Sequence, residues 1–183
     1  MQAKPNMDSK QERFINGVDI GAFRESVKTI AENPDAKYAP KFSRTQWLGG
    51  FKFKSFVRNH TFIVDEPAHL AGKDEAPNSM EYVLGAYGAC LANGFVLNAS
   101  KEGIAIRNLE VALDAKQNNV FTFFGIAQDG HSGFSGIRAK LFVQADADEE
   151  TLRRIWDTTV KTSPVGLSAA RLGGCLSGSA SNY

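Results

Sequence analysis

The chain has 183 residues, 43% of them hydrophobic, and a formal net charge of +1. That is one domain, or one domain plus an appendage, with apolar residues enough for a core. A balance so close to neutral gives no general electrostatic footprint for nucleic acid or an anionic membrane.

The first residues lack the apolar run of a secretory signal, and two cysteines make no disulfide framework. A reduced, cytoplasmic protein is therefore expected. Residues 1–17 are polar and expected to be loose, with Phe14 and Ile15 as anchors. From Asp19, Phe23, Val27, Ile30 and Ala31 recur at helical spacing, and Asn33-Pro34 stops that helix. Residues 36–43 read as a connector. Arg44 to Leu48 predicts an edge strand ending at Gly49-Gly50. Phe51 to Arg58 alternates Phe51, Phe53 and Ser55, then slips to Phe56 or Val57, which predicts a bulge. Asn59-His60 predicts a tight turn. His60 to Glu66 returns as a strand with Phe62 and Val64 on one face, and Pro67 ends it.

A loop over residues 68–77 delivers the chain to its most distinctive stretch, Asn78 to Lys101. Asn78 and Glu81 have the spacing of a capping box, each side chain bonding the other residue's amide. From Tyr82 to Ser100 there is no charged residue. Such a helix is apolar nearly all round and is expected to be buried on every side. Gly85, Gly88, Ala89 and Ala92 keep one flank thin enough for a neighbouring backbone to approach. A membrane span competes with this reading, but the internal glycines and asparagines and the absence of a basic flank argue against it. Gly103 closes the helix.

Beyond it, Leu109, Val111, Leu113 and Ala115 alternate as a half-buried strand. Asn118-Asn119 reads as a turn. Residues 120–127 are aromatic and predict a strand, and 128–136 a glycine-rich loop. Ile137, Ala139, Leu141 and Val143 predict a second half-buried strand. Asp146 or Asp148 caps a helix with the stripe Leu152, Ile155, Trp156, Thr159 and Val160. Ser163-Pro164 then restarts a helix, serine as cap and proline at its first position, running to Gly173-Gly174. Strands, buried helix, strands, helices: the order predicts α+β with antiparallel sheets. A helix so apolar is most simply covered by its twin in a homodimer.

The chemistry narrows by elimination. His60, His69 and His131 are scattered, so no metal is expected. No phosphate-binding loop, dinucleotide fingerprint or nucleophile elbow occurs, so no cofactor is expected either. Cys90 remains, in the middle of the apolar helix. A buried cysteine is commonly a small inert hydrophobe, and reactivity needs a neighbour that favours the thiolate. Arg58, at the end of a strand, is the candidate cation by type, although an arginine there is more often a solvated strand end. Glu81 lies nine residues before Cys90. On a straight helix that is the opposite face, about 13 Å along the axis, so its capping role is the simpler one.

The run from Val57 to Ala92, with V-R-N-H-T-F-I-V-D-E-P leading to G-A-C-L-A, resembles the OsmC/Ohr superfamily of osmotically inducible and organic hydroperoxide resistance proteins. G-I-x-I-x-x-L-E-V (Gly103 to Val111), G-F-x-x-I-R (Gly133 to Arg138) and T-S-P-V (Thr162 to Val165) fit the same pattern. The resemblance covers about residues 44–172. It divides the chain into an N-terminal arm with a short helix, 1–43, and an OsmC-like domain, 44–183. It implies an intertwined homodimer, antiparallel sheets wrapped around two central buried helices. It also implies a peroxidatic cysteine at Cys90, with an arginine and a glutamate holding the thiolate, for which Arg58 and Glu81 are the candidates. A second cysteine follows in the family's C-P-V context. Here that position is Ser163, and Met80 stands where the hydroperoxide-resistance branch has its acid. Cys175 is at no family site.

Two functions follow as expectations. One is a stress-response peroxidase of one-cysteine type, reducing small organic hydroperoxides through Cys90 with an external thiol as reductant. The other is a non-catalytic dimer of the same fold that binds a small apolar or thiol-reactive ligand. Neither calls for nucleic acid or a membrane. A structural role for the arm, packed on the dimer, is a third.

Overall fold

The computed structural model describes residues 14–171, so the expectations placed on residues 1–13, on the Gly173-Gly174 stop and on Cys175 lie outside the described residues. The chain forms two compact units. One takes the chain up to Ile20 and from Ala86 onward; the other is Gly21–Gly85.

In the first unit, β1 (Phe14–Ile15) and β2 (Val18–Asp19) form a small hairpin. Asn16 and Gly17 make its turn, both at positive φ (54° and 76°), the geometry an Asn-Gly pair adopts most readily. The Asn16 amide donates to Ser100 Oγ and to the Ile104 carbonyl, both at 2.9 Å, and its oxygen accepts the Ile106 amide at 2.7 Å. One side chain therefore ties the hairpin to the chain leaving the central helix.

Helix α1 (Ile20–Ala31) follows, and a 3-10 turn (Pro34–Lys37) begins where Asn33-Pro34 was expected to stop it. The Asn33 side chain caps that turn by accepting the Asp35 amide. Val27 and Ile30 of the predicted apolar stripe are 46% and 56% exposed.

The second unit is built on an antiparallel meander, β3 (Arg44–Gly49), β4 (Lys52–Val57) and β5 (His60–Val64), with β3 at an edge as expected. The irregularity is not in β4. It lies on β3, where Leu48 is passed over between the pairs Trp47–Phe53 and Gly49–Lys52. Phe56 breaks the alternation for another reason: its ring faces the cations, with the Arg44 guanidinium 4.3 Å and the Lys54 ammonium 5.3 Å from its centroid. The β4–β5 turn is Arg58-Asn59, one residue earlier than predicted, closing on the pair Val57–His60.

The loop that follows is organised by Asp65, which is 1% exposed. Its carboxylate accepts the amides of Glu66 (2.9 Å), Lys73 (3.2 Å) and Glu75 (3.2 Å). Gly72 must be glycine, because a Cβ there would lie 1.7 Å from the Glu66 carbonyl oxygen.

Helix α2 (Ser79–Lys101) starts in this unit and ends in the first. The capping box is formed: Asn78 N–H donates to Glu81 Oε2 at 2.8 Å and Glu81 N–H to Asn78 Oδ1 at 3.0 Å. Gly103, at φ 76°, ends it as expected. Among the described residues α2 is the one helix long and apolar enough to cross a membrane. The expectation of burial on every side does not hold within one chain. Gly88, Leu91, Phe95, Ala99 and Ser100 are buried, whereas Val83, Ala86, Ala89 and Asn93 are exposed.

The buried face packs in the first unit. Strands β6 (Ile106–Gln117) and β7 (Phe134–Ala145) pair antiparallel with apolar residues matched: Leu109 with Val143, Val111 with Leu141, Leu113 with Ala139, Ala115 with Ile137. Phe95, Ala99, Ile104 and Ile155 form the core beneath them. The predicted strand over 120–127 is instead a one-turn helix, α3 (Val120–Phe123). Asn119 overrides the aromatic β-propensity by accepting the Phe121 amide at 3.1 Å, a local cap that turns the chain out of the ladder.

Helix α4 (Glu149–Thr162) is capped by Asp148, whose carboxylate accepts the Thr151 amide at 2.7 Å. Helix α5 (Pro164–Arg171) follows after Ser163 alone.

Burial pushes the Asp65 carboxyl up. The amides of Glu75, Glu66 and Lys73 and the charge of Lys52 outweigh it, and the group titrates below the ordinary carboxylate range. A depressed carboxyl adds stability that is present above its unfolded value, about 3.9, and is lost as pH falls through the folded one. Asp65→Asn is therefore expected to lower the melting temperature most at neutral pH. The gap to wild type narrows as melting curves are taken below about pH 4. A gap that stays constant down to acid pH would show that the charge of Asp65 does not hold the loop.

Candidate active site around Cys90

Cys90 lies on α2 and is half-buried. What faces it is set by the break between α4 and α5. Pro164 has no amide hydrogen to continue α4, and it fits the first position of α5. Ser163, 3% exposed, sits between the two helices in an extended conformation (φ −61°, ψ 117°). Its Oγ accepts the Gly166 amide at 3.2 Å and its carbonyl accepts the Leu167 amide at 2.9 Å, so it is the cap the sequence predicted.

The Ser163 hydroxyl lies 3.3 Å from Cys90 Sγ, within hydrogen-bond range for sulfur. Tyr87, one turn before Cys90, lies across the first turn of α5. A Cβ on Gly166 would come within 3.0 Å of its ring and hydroxyl. The cluster is thus Cys90, Ser163, Tyr87 and the backbone at Gly166. Sequence reasoning did not single out Tyr87 for the site; its position three residues before Cys90, on the same side of a helix, was the available signal.

The other candidates lie in the unit Gly21–Gly85. Arg58 occupies the β4–β5 turn at φ 55°, exposed, and among the described residues it forms no ion pair. Glu81 is engaged in the capping box. Burial, and then the charges of Glu81 and Asp65, push the nearby Glu66 carboxyl above its ordinary range. The same unit holds a cavity of about 490 Å³ lined by Phe53, Phe62, Val64 and Tyr82 and edged by the hydroxyls of Thr45 and Ser55. Tyr82 is fixed there, its hydroxyl donating to the Ile63 carbonyl at 2.6 Å and its ring 4.9 Å from that of Phe62. Among the described residues no three His, Cys, Asp or Glu side chains gather as metal ligands do.

Residues 72–172 match the family model described as OsmC-like protein. No curated protein matches the chain. Among solved structures, the chain is similar to an OsmC-like protein from Mycoplasma pneumoniae (15% identity, TM-score 0.62, 73% of this chain and 89% of that one). It is also similar to an organic hydroperoxide resistance protein OsmC, described as a predicted redox protein, from Legionella pneumophila (13%, TM-score 0.55, 73% and 90%). A third is an organic hydroperoxide resistance protein from Elizabethkingia anophelis (18%, TM-score 0.50, 74% and 90%). At these identities the likeness is one of fold: α+β with antiparallel sheets, as the element order predicted.

A sulfur and an oxygen 3.3 Å apart need to close by little more than 1 Å to reach disulfide length. In the variant Ser163→Cys, the introduced thiol is expected to form a disulfide with Cys90 under mild oxidation. Non-reducing peptide mapping would show the crosslinked pair, absent when Cys90→Ser is combined with it. A variant that keeps both thiols after oxidant treatment would show that the two side chains do not meet as described.

Proposed function

The chain belongs to the OsmC-like protein family, and from that premise we propose that it is a one-cysteine thiol peroxidase acting on small organic hydroperoxides through Cys90. The observation that carries this reading is the seat of Cys90. Its sulfur lies within hydrogen-bond range of a capping hydroxyl at the start of α5, the position at which the resemblance implies a second thiol.

The chemistry is a two-electron transfer. The Cys90 thiolate attacks one peroxide oxygen, the O–O bond breaks, and the alcohol leaves after taking a proton. Cys90 is left as a sulfenic acid. An external thiol then attacks that sulfur, forms a mixed disulfide and releases water. A second thiol returns Cys90 to its reduced form as the small disulfide leaves. No resolving cysteine stands at residue 163, so both reducing equivalents come from outside the chain. That requirement fits a reducing compartment such as the cytoplasm.

Arg58, carrying no ion pair among the described residues, is the proposed source of positive charge for the thiolate. Glu81 contributes through the cap that fixes the start of α2. The active form is a homodimer. The exposed face of α2 at Ala86, Ala89 and Asn93 is the surface a second copy would cover. The division into an arm over 1–43 and a domain over 44–183 is part of the same proposal.

A non-catalytic dimer is the second reading, favoured by the serine at 163 and by the 490 Å³ cavity, which is of a size for a small apolar ligand. A bound apolar molecule in the purified protein, together with a thiol that ignores peroxide, would select it.

With an organic hydroperoxide, Cys90 is expected to become a sulfenic acid that dimedone traps within minutes. Peptide mass spectrometry locates the adduct, and Cys90→Ser abolishes peroxide consumption. No adduct at Cys90, with the peroxide left unconsumed, would sink the peroxidase. Native mass or sedimentation is expected to give twice the chain mass; a monomer at micromolar concentration would remove the dimer.

A further inference from the structure

The hydrogen-bonding capacity of Ser163 assigns it a second role. Its Oγ accepts the Gly166 amide, which uses acceptor capacity and leaves the hydroxyl proton to be placed. At 3% exposure that proton has little water to turn to, and a buried donor without an acceptor is costly. Cys90 Sγ, at 3.3 Å, is the acceptor within reach.

We propose that Ser163 is a positioning residue for Cys90, its hydroxyl donating to the sulfur while the first turn of α5 donates to the hydroxyl. The proposal rests on the peroxidase reading for its purpose, though not for its geometry. A hydrogen bond to an ionised acceptor is stronger than one to a neutral acceptor, so this bond strengthens as Cys90 gives up its proton. Accepting the Gly166 amide also polarises the hydroxyl, making it a better donor. Serine thus does without redox chemistry what a capping residue beside a nucleophile can do. It holds the sulfur in one place and stabilises the form that reacts. Unlike a thiol, it cannot trap the oxidised product, so the sulfenic acid stays open to the external thiol.

The test separates this donor role from the cap. Cys90 alkylation by iodoacetamide at neutral pH is followed by peptide mass in wild type, Ser163→Ala, Ser163→Gly and Ser163→Thr. Glycine is tolerated as a cap and has no hydroxyl; threonine keeps both functions. Alanine and glycine are expected to slow alkylation about tenfold, the scale of a lost hydrogen bond to a charged group, and threonine to restore the rate. Loosening of the fold would expose the sulfur and speed alkylation, so a fall in rate is not what a merely structural role produces. Rates in the alanine and glycine variants equal to or above wild type would overturn the proposal. The dimedone result is independent of this one. If wild type forms no adduct but alkylation still slows in the variants, the peroxidase reading fails and the role of Ser163 stands. If the adduct forms and alkylation does not slow, the reverse holds.

Discussion

The position of the Cys90 sulfur depends on a contact one helical turn further along α2. Gly94 lies against Thr159 of α4, so close that a Cβ at 94 would come within 3.0 Å of the Thr159 methyl. Asn98, one turn on, donates to the Thr159 hydroxyl at 3.2 Å, and that hydroxyl donates to the Ile155 carbonyl. The two helices are thereby held close and in one register. Four residues back from Gly94 is Cys90, and four residues on from Thr159 is Ser163. Packing along rows of residues four apart then brings the sulfur and the hydroxyl together. Gly88 allows the same closeness toward the sheet, where a Cβ would meet Leu113 at 2.9 Å.

Ser163 concentrates three tasks in one residue. It takes the chain out of α4, caps α5 and faces Cys90. The first two need only a small polar side chain before a proline. The third arises from where α4 has been placed. A cap that faces a cysteine can exchange serine for a second cysteine with little change in shape and a complete change in redox chemistry. Local stability and chemical outcome are therefore separable at this position.

The other unit shows how a polar group can organise structure without a reactive role. Asp65 is buried, yet its carboxylate oxygens are taken up by three backbone amides. The loop over 66–75 is drawn around that charge, while within it Ala71 takes the left-handed conformation (φ 64°) as the C-cap of the short 3-10 turn Ala68–Leu70, its amide donating to the Ala68 carbonyl. Asn16 has the corresponding role in the first unit, its amide bonding the Ser100 hydroxyl in the last turn of α2 and the backbone of Ile104 and Ile106 as the chain enters β6. Its Asn-Gly turn is a strong hairpin signal, but the strands on either side are two residues each, too short to show an alternation in the sequence.

Much of the fold was legible from local chemistry. The capping box at Asn78 and Glu81, the Gly103 stop, the alternation in β6 and β7 and the Ser163-Pro164 restart depend on neighbours within a few residues, and all appear where the chain itself specifies them. The misreadings fall where a distant or competing partner intervenes. Phe56 mimics a register slip because Arg44 and Lys54 sit over its ring, and residues 120–123 mimic a strand although Asn119 caps them as a helix. The apolar length of α2 was a property of its sequence. Which of its faces one chain covers was decided by packing against the sheet and α4. Likewise, the sequence by itself determined that one cysteine lies mid-helix and that a serine begins the last helix. Only the tertiary structure set them 3.3 Å apart, because 73 positions separate them in the chain and no local periodicity reports the register of two helices packed across a glycine.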